Sequence, residues 1–339
     1  MKRLLLTGAA LAVASPALAQ ELNLYNWGNY TSPEMIEKFE AETGIDVTIT
    51  DYDSNDTALA KIQAGGHGFD MVVPSSTFVP IFIGEGLLME ARPDQMENFA
   101  HVADRWRDPE FDPGRRYTVP WQWGTVGMSV NKTDYDGDIN TAAIFLDPPD
   151  ELKGKINVLP EMVDVMSLAI YYHGGEQCTQ DREVLSEVRD TLIAAKPHWL
   201  SIDYGTVEKM ANEDIAASTN WNGASMRSRL QNEDIAYGYP VTGYPVWSDN
   251  LAILADAQNV EEAKTFMNFV MDPENAAMLS NFARYANGIA GSEEYLDEVM
   301  ASAPEINVPE QFADAGVDAK TCPPEAMQIY RAIWTEVLQ

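Results

Sequence analysis

The segment LNLYNWGNYTSPEMIEKFEAETGIDVTI, residues 22–49, decides the fold class because strand, helix and strand signals follow one another in it. Leu22 and Leu24 alternate with polar residues, as in a strand that is buried on one face. Ser32 is a typical helix N-cap with a proline directly after it, and Gly44 is a typical helix end. The alternation that follows predicts a second strand. A βαβ unit of this kind predicts an α/β protein with a parallel sheet.

A large aromatic residue, Trp27, stands where the first predicted strand ends. A second polar loop, Ser75–Thr77, follows the apolar segment FDMVV at residues 69–73. Ligands of open α/β sheets bind beyond the carboxyl ends of the strands. We therefore expect Trp27 and this loop to line a cleft.

The length of the chain, 339 residues, is too great for one ordinary core and predicts two lobes. Residues 119–132 are predicted as a strand that leaves the first lobe, and residues 244–257 as a strand that returns to it. The fold class is thus α/β, with two lobes joined by hinge strands and a cleft between them. The predicted lobes are residues 20–127 plus about 251–285, and residues 128–250 plus about 286–339.

Two local predictions concern the rest of the chain. Residues 260–291 are strongly helical in pattern, with expected breaks at Asp272-Pro273 and at Gly288. The pair Arg115-Arg116 is expected to form a solvated turn.

The N-terminus predicts export. Residues 1–19 contain two basic residues, an apolar run and a terminal Ala17-Leu18-Ala19 cleavage motif, which together indicate a secretory signal peptide. No cysteine lies near the cut, so we expect no lipid anchor and a periplasmic location. In that oxidising compartment the only two cysteines, Cys178 and Cys322, are expected to pair.

The net charge limits the classes of binding partner. The chain has 22 basic and 53 acidic residues, and its net charge is −31. Nucleic acid and anionic membranes are poor partners for such a chain, whereas a cationic ligand is attracted. An acidic surface adapted to salty surroundings would also account for much of the charge.

No catalytic or cofactor motif is recognisable in the chain. The patterns G-x-S-x-G, H-E-x-x-H, P-loop and G-x-G-x-x-G are missing from the sequence, and the four histidines are not at metal-ligand spacing. The sequence therefore predicts a binding protein without metal or cofactor rather than an enzyme.

Several segments together resemble one family, the periplasmic spermidine/putrescine-binding proteins of ABC importers. The resemblance rests on LYNWGNY, VPWQWGTVGMSVNK, NWNG and VWSDNLAI and on their order along the chain. It implies a two-lobe periplasmic binding fold of type II that closes on its ligand. It also implies a monomer that delivers a polyamine to permease subunits in the inner membrane.

The resemblance also implies a set of ligand-binding residues. Ammonium groups need carboxylates, and the methylenes between them need flat apolar walls. The positions that match the family's ligand contacts are Trp27, Tyr30, Thr77, Glu161, Asp164, Trp221, Trp247, Asp249 and Tyr285. A contact from the C-terminal region, at Gln328, is left open.

The ligand itself is less well determined by the resemblance. Family members that prefer putrescine carry an acid where this chain has Ala224, which favours a longer polyamine such as spermidine. The alternative ligand is a quaternary ammonium compound such as choline or glycine betaine, for which an aromatic cage suffices. A ferric- or anion-binding protein of the same fold is a further alternative, disfavoured because Tyr171 and Tyr172 face different sides of a helix.

Overall fold

The computed structural model describes residues 20–339, so the predicted signal peptide lies outside the described residues. The strands are β1 Gln20–Trp27, β2 Ile45–Tyr52, β3 Met71–Val72, β4 Thr118–Asn131, β5 Ile156–Val158, β6 Trp199–Ile202, β7 Ala217–Trp221, β8 Ile235–Gly238, β9 Tyr244–Ile253 and β10 Gly316–Asp318. The helices are α1 Pro33–Thr43, α2 Asn55–Gln63, α3 Val79–Gly84, α4 Asp104–Arg107, α5 Ala143–Leu146, α6 Met162–Tyr172, α7 Arg182–Ala195, α8 Thr206–Ala211, α9 Asn222–Arg229, α10 Val260–Phe269, α11 Pro273–Ala283, α12 Glu298–Ser302, α13 Glu310–Ala313 and α14 Pro324–Leu338.

The strands form one continuous path in the order β2-β1-β3-β9-β4-β7-β5-β6, with β10 beside β9 and β8 beside β4. β1 is parallel to both β2 and β3, which confirms the predicted βαβ unit. The connecting helix α1 begins and ends as expected. The Ser32 hydroxyl accepts a hydrogen bond from the Met35 amide, and Gly44 adopts the left-handed conformation with φ 73°.

The first core surrounds the sheet β2-β1-β3, which is buried on both faces. Leu22 and Leu24 pack with α1 and α10 on one face. Tyr25, one residue further along β1, packs with α2 and α3 on the other face. This division follows from the alternation of side chains in a strand. Because β1 and β3 are parallel, their carboxyl ends reach the same edge of the sheet.

The second core lies around the later part of β4, with β5, α6, α7 and α14 packed against it. Tyr330 and Trp334 bring α14 into this core, where both side chains are buried. A disulfide joins Cys178 and Cys322, whose Cα atoms are 5.0 Å apart. It fastens the loop between α6 and α7 to the segment in front of α14.

Two long strands, β4 and β9, connect the cores. The first half of β4 pairs antiparallel with β9, and its second half pairs with β7 and β8. β9 in turn pairs with β10 near its start and with β3 near its end. Each strand thus belongs to both halves of the protein, as expected of hinge strands in an α/β protein with two lobes.

Two local predictions differ from the structure, namely the position of the second helix break and the exposure of Arg115, whereas Arg116 is exposed as expected. The second break in the C-terminal helical region comes at Arg284, which has a φ of 63° and ends α11, rather than at Gly288. Arg115 is fully buried rather than solvated, because its guanidinium donates to the Trp106 carbonyl and to the Asn250 side chain, both at 2.7 Å. Desolvation lowers the pKa of Arg115 to about 9.

The first break, at Asp272-Pro273, is confirmed, because Asp272 is the N-cap of α11 and its carboxylate accepts from the Glu274 amide at 3.0 Å.

None of the helices in residues 20–339 combines the length and the apolar character that crossing a bilayer requires.

Candidate functional site

A cavity of about 520 Å³ lies between the two cores, at the carboxyl ends of β1 and β3. Its volume is in the range of small-molecule sites. The structure brings all nine predicted ligand residues to its lining, namely Trp27, Tyr30, Thr77, Glu161, Asp164, Trp221, Trp247, Asp249 and Tyr285. These residues come from segments that are far apart in the sequence, and whether they contact a ligand stays a prediction.

Trp27 is the last residue of β1, and its indole ring is held in place by two contacts. Its indole Nε1 donates to the Val73 carbonyl at 3.0 Å. Its ring packs against Tyr52 with the ring centroids 4.7 Å apart. The buried Asn26 amide donates to Thr31 Oγ1 at 2.8 Å and so fixes the turn that follows. The half-buried indole therefore presents part of its surface to the cavity in a fixed orientation.

Asp249 is the carboxylate nearest the hinge, because it lies in the middle of β9 beside Ser75. The Tyr30 hydroxyl donates to Asp249 Oδ2 at 2.9 Å. Burial raises the pKa of Asp249 to about 8, the Tyr30 hydrogen bond opposes the shift, and the charge of Asp164 adds to it. Asp249 thus accepts one side-chain hydrogen bond, from Tyr30. Without a cation beside it, this carboxylate would need further hydrogen bonds to remain charged.

Two further carboxylates lie at the start of α6, in the second half of the protein. Glu161 is the residue in front of the helix, and Asp164 is in its first turn. The Trp221 indole donates to Asp164 Oδ2 at 2.9 Å. Burial is the main cause of the raised pKa values of both carboxyls, and repulsion from Asp164 raises the pKa of Glu161 further. The two acids therefore form an acidic end of the cavity.

Aromatic rings connect the acidic groups. Tyr285 contacts Tyr30 and Trp247 edge to face, with centroid distances of 5.6 and 5.1 Å. The Trp247 ring lies over Gly124, where an added Cβ would come within 2.6 Å of it. Any residue with a Cβ at position 124 would therefore collide with the Trp247 ring in its present position. The rings provide flat apolar surfaces between the carboxylates.

Thr77 completes the predicted set at the loop after β3. Its hydroxyl is 3.0 Å from the Ser75 hydroxyl, and its carbonyl accepts a hydrogen bond from the Thr321 hydroxyl at 2.7 Å. Thr321 belongs to the segment between β10 and α14. This contact therefore joins the loop after β3 to the segment in front of α14.

Sequence reasoning missed further lining residues, among them Gln177, Tyr204 and Arg227. Tyr204 lies shortly after β6, and its ring centroid is 5.2 Å from that of Trp221, so the strand-end rule could have identified it. Arg227 is inside α9, where nothing in the local sequence distinguishes it from a surface residue. Gln328 is exposed on α14 and is not among the lining residues.

The arrangement is suited to binding a positively charged group. Three carboxyls with raised pKa values share one enclosed space, and each becomes easier to ionise when a positive group enters. Within residues 20–339, no cluster of three or more His, Cys, Asp or Glu side chains could hold a metal ion.

Comparison with known proteins gives consistent relatives. A family model described as bacterial extracellular solute-binding protein matches residues 34–308. The chain is 27% identical to the putrescine-binding periplasmic protein SpuD of Pseudomonas aeruginosa, over 98% of this chain and 96% of the relative. It is 28% identical to the spermidine/putrescine-binding periplasmic protein of Escherichia coli, over 89% of this chain and 88% of the relative.

A solved structure of a putative spermidine/putrescine ABC transporter from Listeria monocytogenes superimposes with a TM-score of 0.88 at 29% identity. The superposition covers 94% of this chain and 99% of the other chain. The two-lobe fold expected from the sequence is thereby confirmed.

Proposed function

The chain belongs to the bacterial extracellular solute-binding protein family, and from this premise we propose that it captures a polyamine and delivers it to an ABC importer. The observation that carries the proposal is the set of three enclosed carboxyls, Glu161, Asp164 and Asp249. None of them is in an ion pair within the part of the chain that the structure describes. A bound ammonium group would supply the missing charge.

The energetics favour a ligand with several amines. Burying an ionised carboxylate without a partner costs several kcal/mol, roughly, and this cost is recovered when a hydrogen-bonded cation enters. Relatives named for binding putrescine or spermidine cover nearly the whole chain, which supports the same ligand class.

The aromatic walls fit the methylene segments of such a ligand, and the carboxylates distinguish amines from quaternary ammonium groups. Trp247 and Tyr285 offer ring faces and edges between Asp249 and the acids of α6. A quaternary ammonium has no N–H to donate to a carboxylate and would leave the oxygens of Asp249 with only the Tyr30 hydroxyl. Choline and glycine betaine are therefore the less suitable ligands.

We also propose a cellular setting, for which the periplasmic relatives support the location. The mature protein begins after residue 19, acts in the periplasm as a monomer without a lipid anchor, and has no catalytic activity. Residues 20–127 with about 251–285 form one lobe, and residues 128–250 with about 286–339 form the other. Closure of the lobes around the polyamine presents the complex to the permease subunits.

Titration calorimetry of residues 20–339 with putrescine, spermidine and glycine betaine tests the function. We expect sub-micromolar binding of at least one polyamine and no binding of betaine at the same concentrations. Asp249→Asn should weaken polyamine binding at least tenfold, which corresponds to about 1.4 kcal/mol. Asp46→Asn removes the same charge from an exposed position in β2 and should leave the affinity unchanged. Binding of betaine alone would refute the proposal.

A further inference from the structure

Arg227 is the one basic residue among those lining the cavity in residues 20–339. Its Nη1 donates to the Asn29 carbonyl at 3.1 Å, across the cavity from α9. Its guanidinium carbon is 5.8 Å from the centroid of the Tyr285 ring. A fixed positive charge therefore belongs to a site whose other charged groups are mainly acids.

The charge of Arg227 is not neutralised by a neighbouring acid. It takes part in none of the ion pairs found in the described residues, and its buried Nε has no hydrogen-bond partner there. Its positive charge acts on Tyr285, where it opposes the burial that raises the pKa of the hydroxyl. The field of the guanidinium thus reaches the aromatic part of the cavity.

We propose that Arg227 is a specificity-determining residue that limits the charge of the ligand and favours a diamine over a triamine. The inference rests on the proposed function. Glu161, Asp164 and Asp249, when ionised, carry three negative charges. With the positive charge of Arg227, the net charge of these four groups is −2. Glu208 also lines the cavity, but it is exposed at the rim and its charge is screened by water.

A diamine, with two positive charges, neutralises this net charge. The third ammonium of a longer ligand would share the cavity with the guanidinium of Arg227 and be repelled by it. Like charges in one partly desolvated cavity repel strongly enough to change affinity about five- to tenfold. This effect opposes the one expected from Ala224, where the sequence lacks an acid found in putrescine-preferring relatives.

The test compares putrescine with spermidine on variants that separate charge from contact. Arg227→Gln and Arg227→Met both remove the charge, and we expect the ratio of spermidine to putrescine affinity to rise at least fivefold in each. Arg227→Lys keeps the charge and should leave that ratio within about twofold of the original. Arg182→Gln removes a charge from an exposed position on α7 and should change neither affinity.

An unchanged ratio in both uncharged variants, with putrescine still bound by the unaltered protein, would overturn the inference while leaving the proposed function intact. A ratio that rises equally in Arg227→Lys would also overturn it, since the contact to Asn29 and not the charge would then be responsible. Failure of the unaltered protein to bind either polyamine would instead refute the proposed function. Thermal melting of the ligand-free variants checks that each is folded before titration.

Discussion

Asp249→Asn should stabilise the ligand-free protein at alkaline pH while it weakens binding. Burial raises the pKa of Asp249 from 3.8 to about 8. In the unfolded chain the same carboxyl titrates near 3.9. Between these values the folded protein binds more protons than the unfolded chain, so stability falls as the pH rises from about 4 to 8. Asparagine has no charge to bury and does not show this loss.

The magnitude follows from the size of the shift. One pKa unit corresponds to 1.36 kcal/mol, so a shift of about four units sets a ceiling of roughly 5–6 kcal/mol. Opening of the lobes admits water to the carboxylate and reduces this cost, and we expect a gain of about 1–3 kcal/mol for the variant at pH 8.5. Such a gain raises the melting temperature by roughly 2–8 °C. The Tyr30 hydroxyl can still donate to the asparagine oxygen, so the hydrogen bond is retained.

Melting temperatures of Asp249→Asn and of the unaltered protein should therefore be measured without ligand at several pH values. The difference should be near zero at pH 4 and should grow in favour of the variant up to pH 8.5. Asp46→Asn, with its exposed side chain, controls for the change in net charge and should show no such trend. A variant that is no more stable than the original at pH 8.5 would refute the assignment of Asp249 as an uncompensated buried carboxyl.

Three further predictions test the site and its support. Because the acidic groups of the cavity have raised pKa values, polyamine binding should release protons at pH 7 and strengthen as the pH rises from 5.5 to 8; calorimetry in buffers of different ionisation enthalpy measures this, and proton uptake would contradict it. Replacing Cys178 and Cys322 by serine should destabilise the protein by about 5 kcal/mol on the chain-entropy model, and an unchanged denaturation midpoint would argue against the cross-link. Trp247→Ala should weaken binding and leave the protein folded. As a comparison, Trp121→Ala removes a side chain that is 1% exposed and should lower the free energy of unfolding by about 3–5 kcal/mol. Loss of folding in Trp247→Ala would mark Trp247 as a core residue.

The sequence determined the local architecture of this protein. The alternation at Leu22 and Leu24, the cap at Ser32 and the helix end at Gly44 predicted the βαβ unit, because strand period, capping and left-handed conformation depend on residues that are close in the chain. The two long strands that join the cores were recognisable as well, near residues 119–132 and 244–257. Trp27 and the loop that contains Thr77 were expected at the cleft because they follow predicted strands, whereas the other site residues were identified through a family resemblance.

The tertiary structure alone decided which charges are buried and which groups face one another. Arg115 reads as a surface turn in the sequence, yet Asn250, 135 positions away, accepts its hydrogen bond in the interior. Arg227 reads as one of several helix-surface arginines, yet the folded structure places it beside Tyr285 and within hydrogen-bond distance of the Asn29 carbonyl. Desolvation and Coulomb energy depend on distance in space and on the exclusion of water. Neither quantity is fixed until segments remote in the chain have packed together.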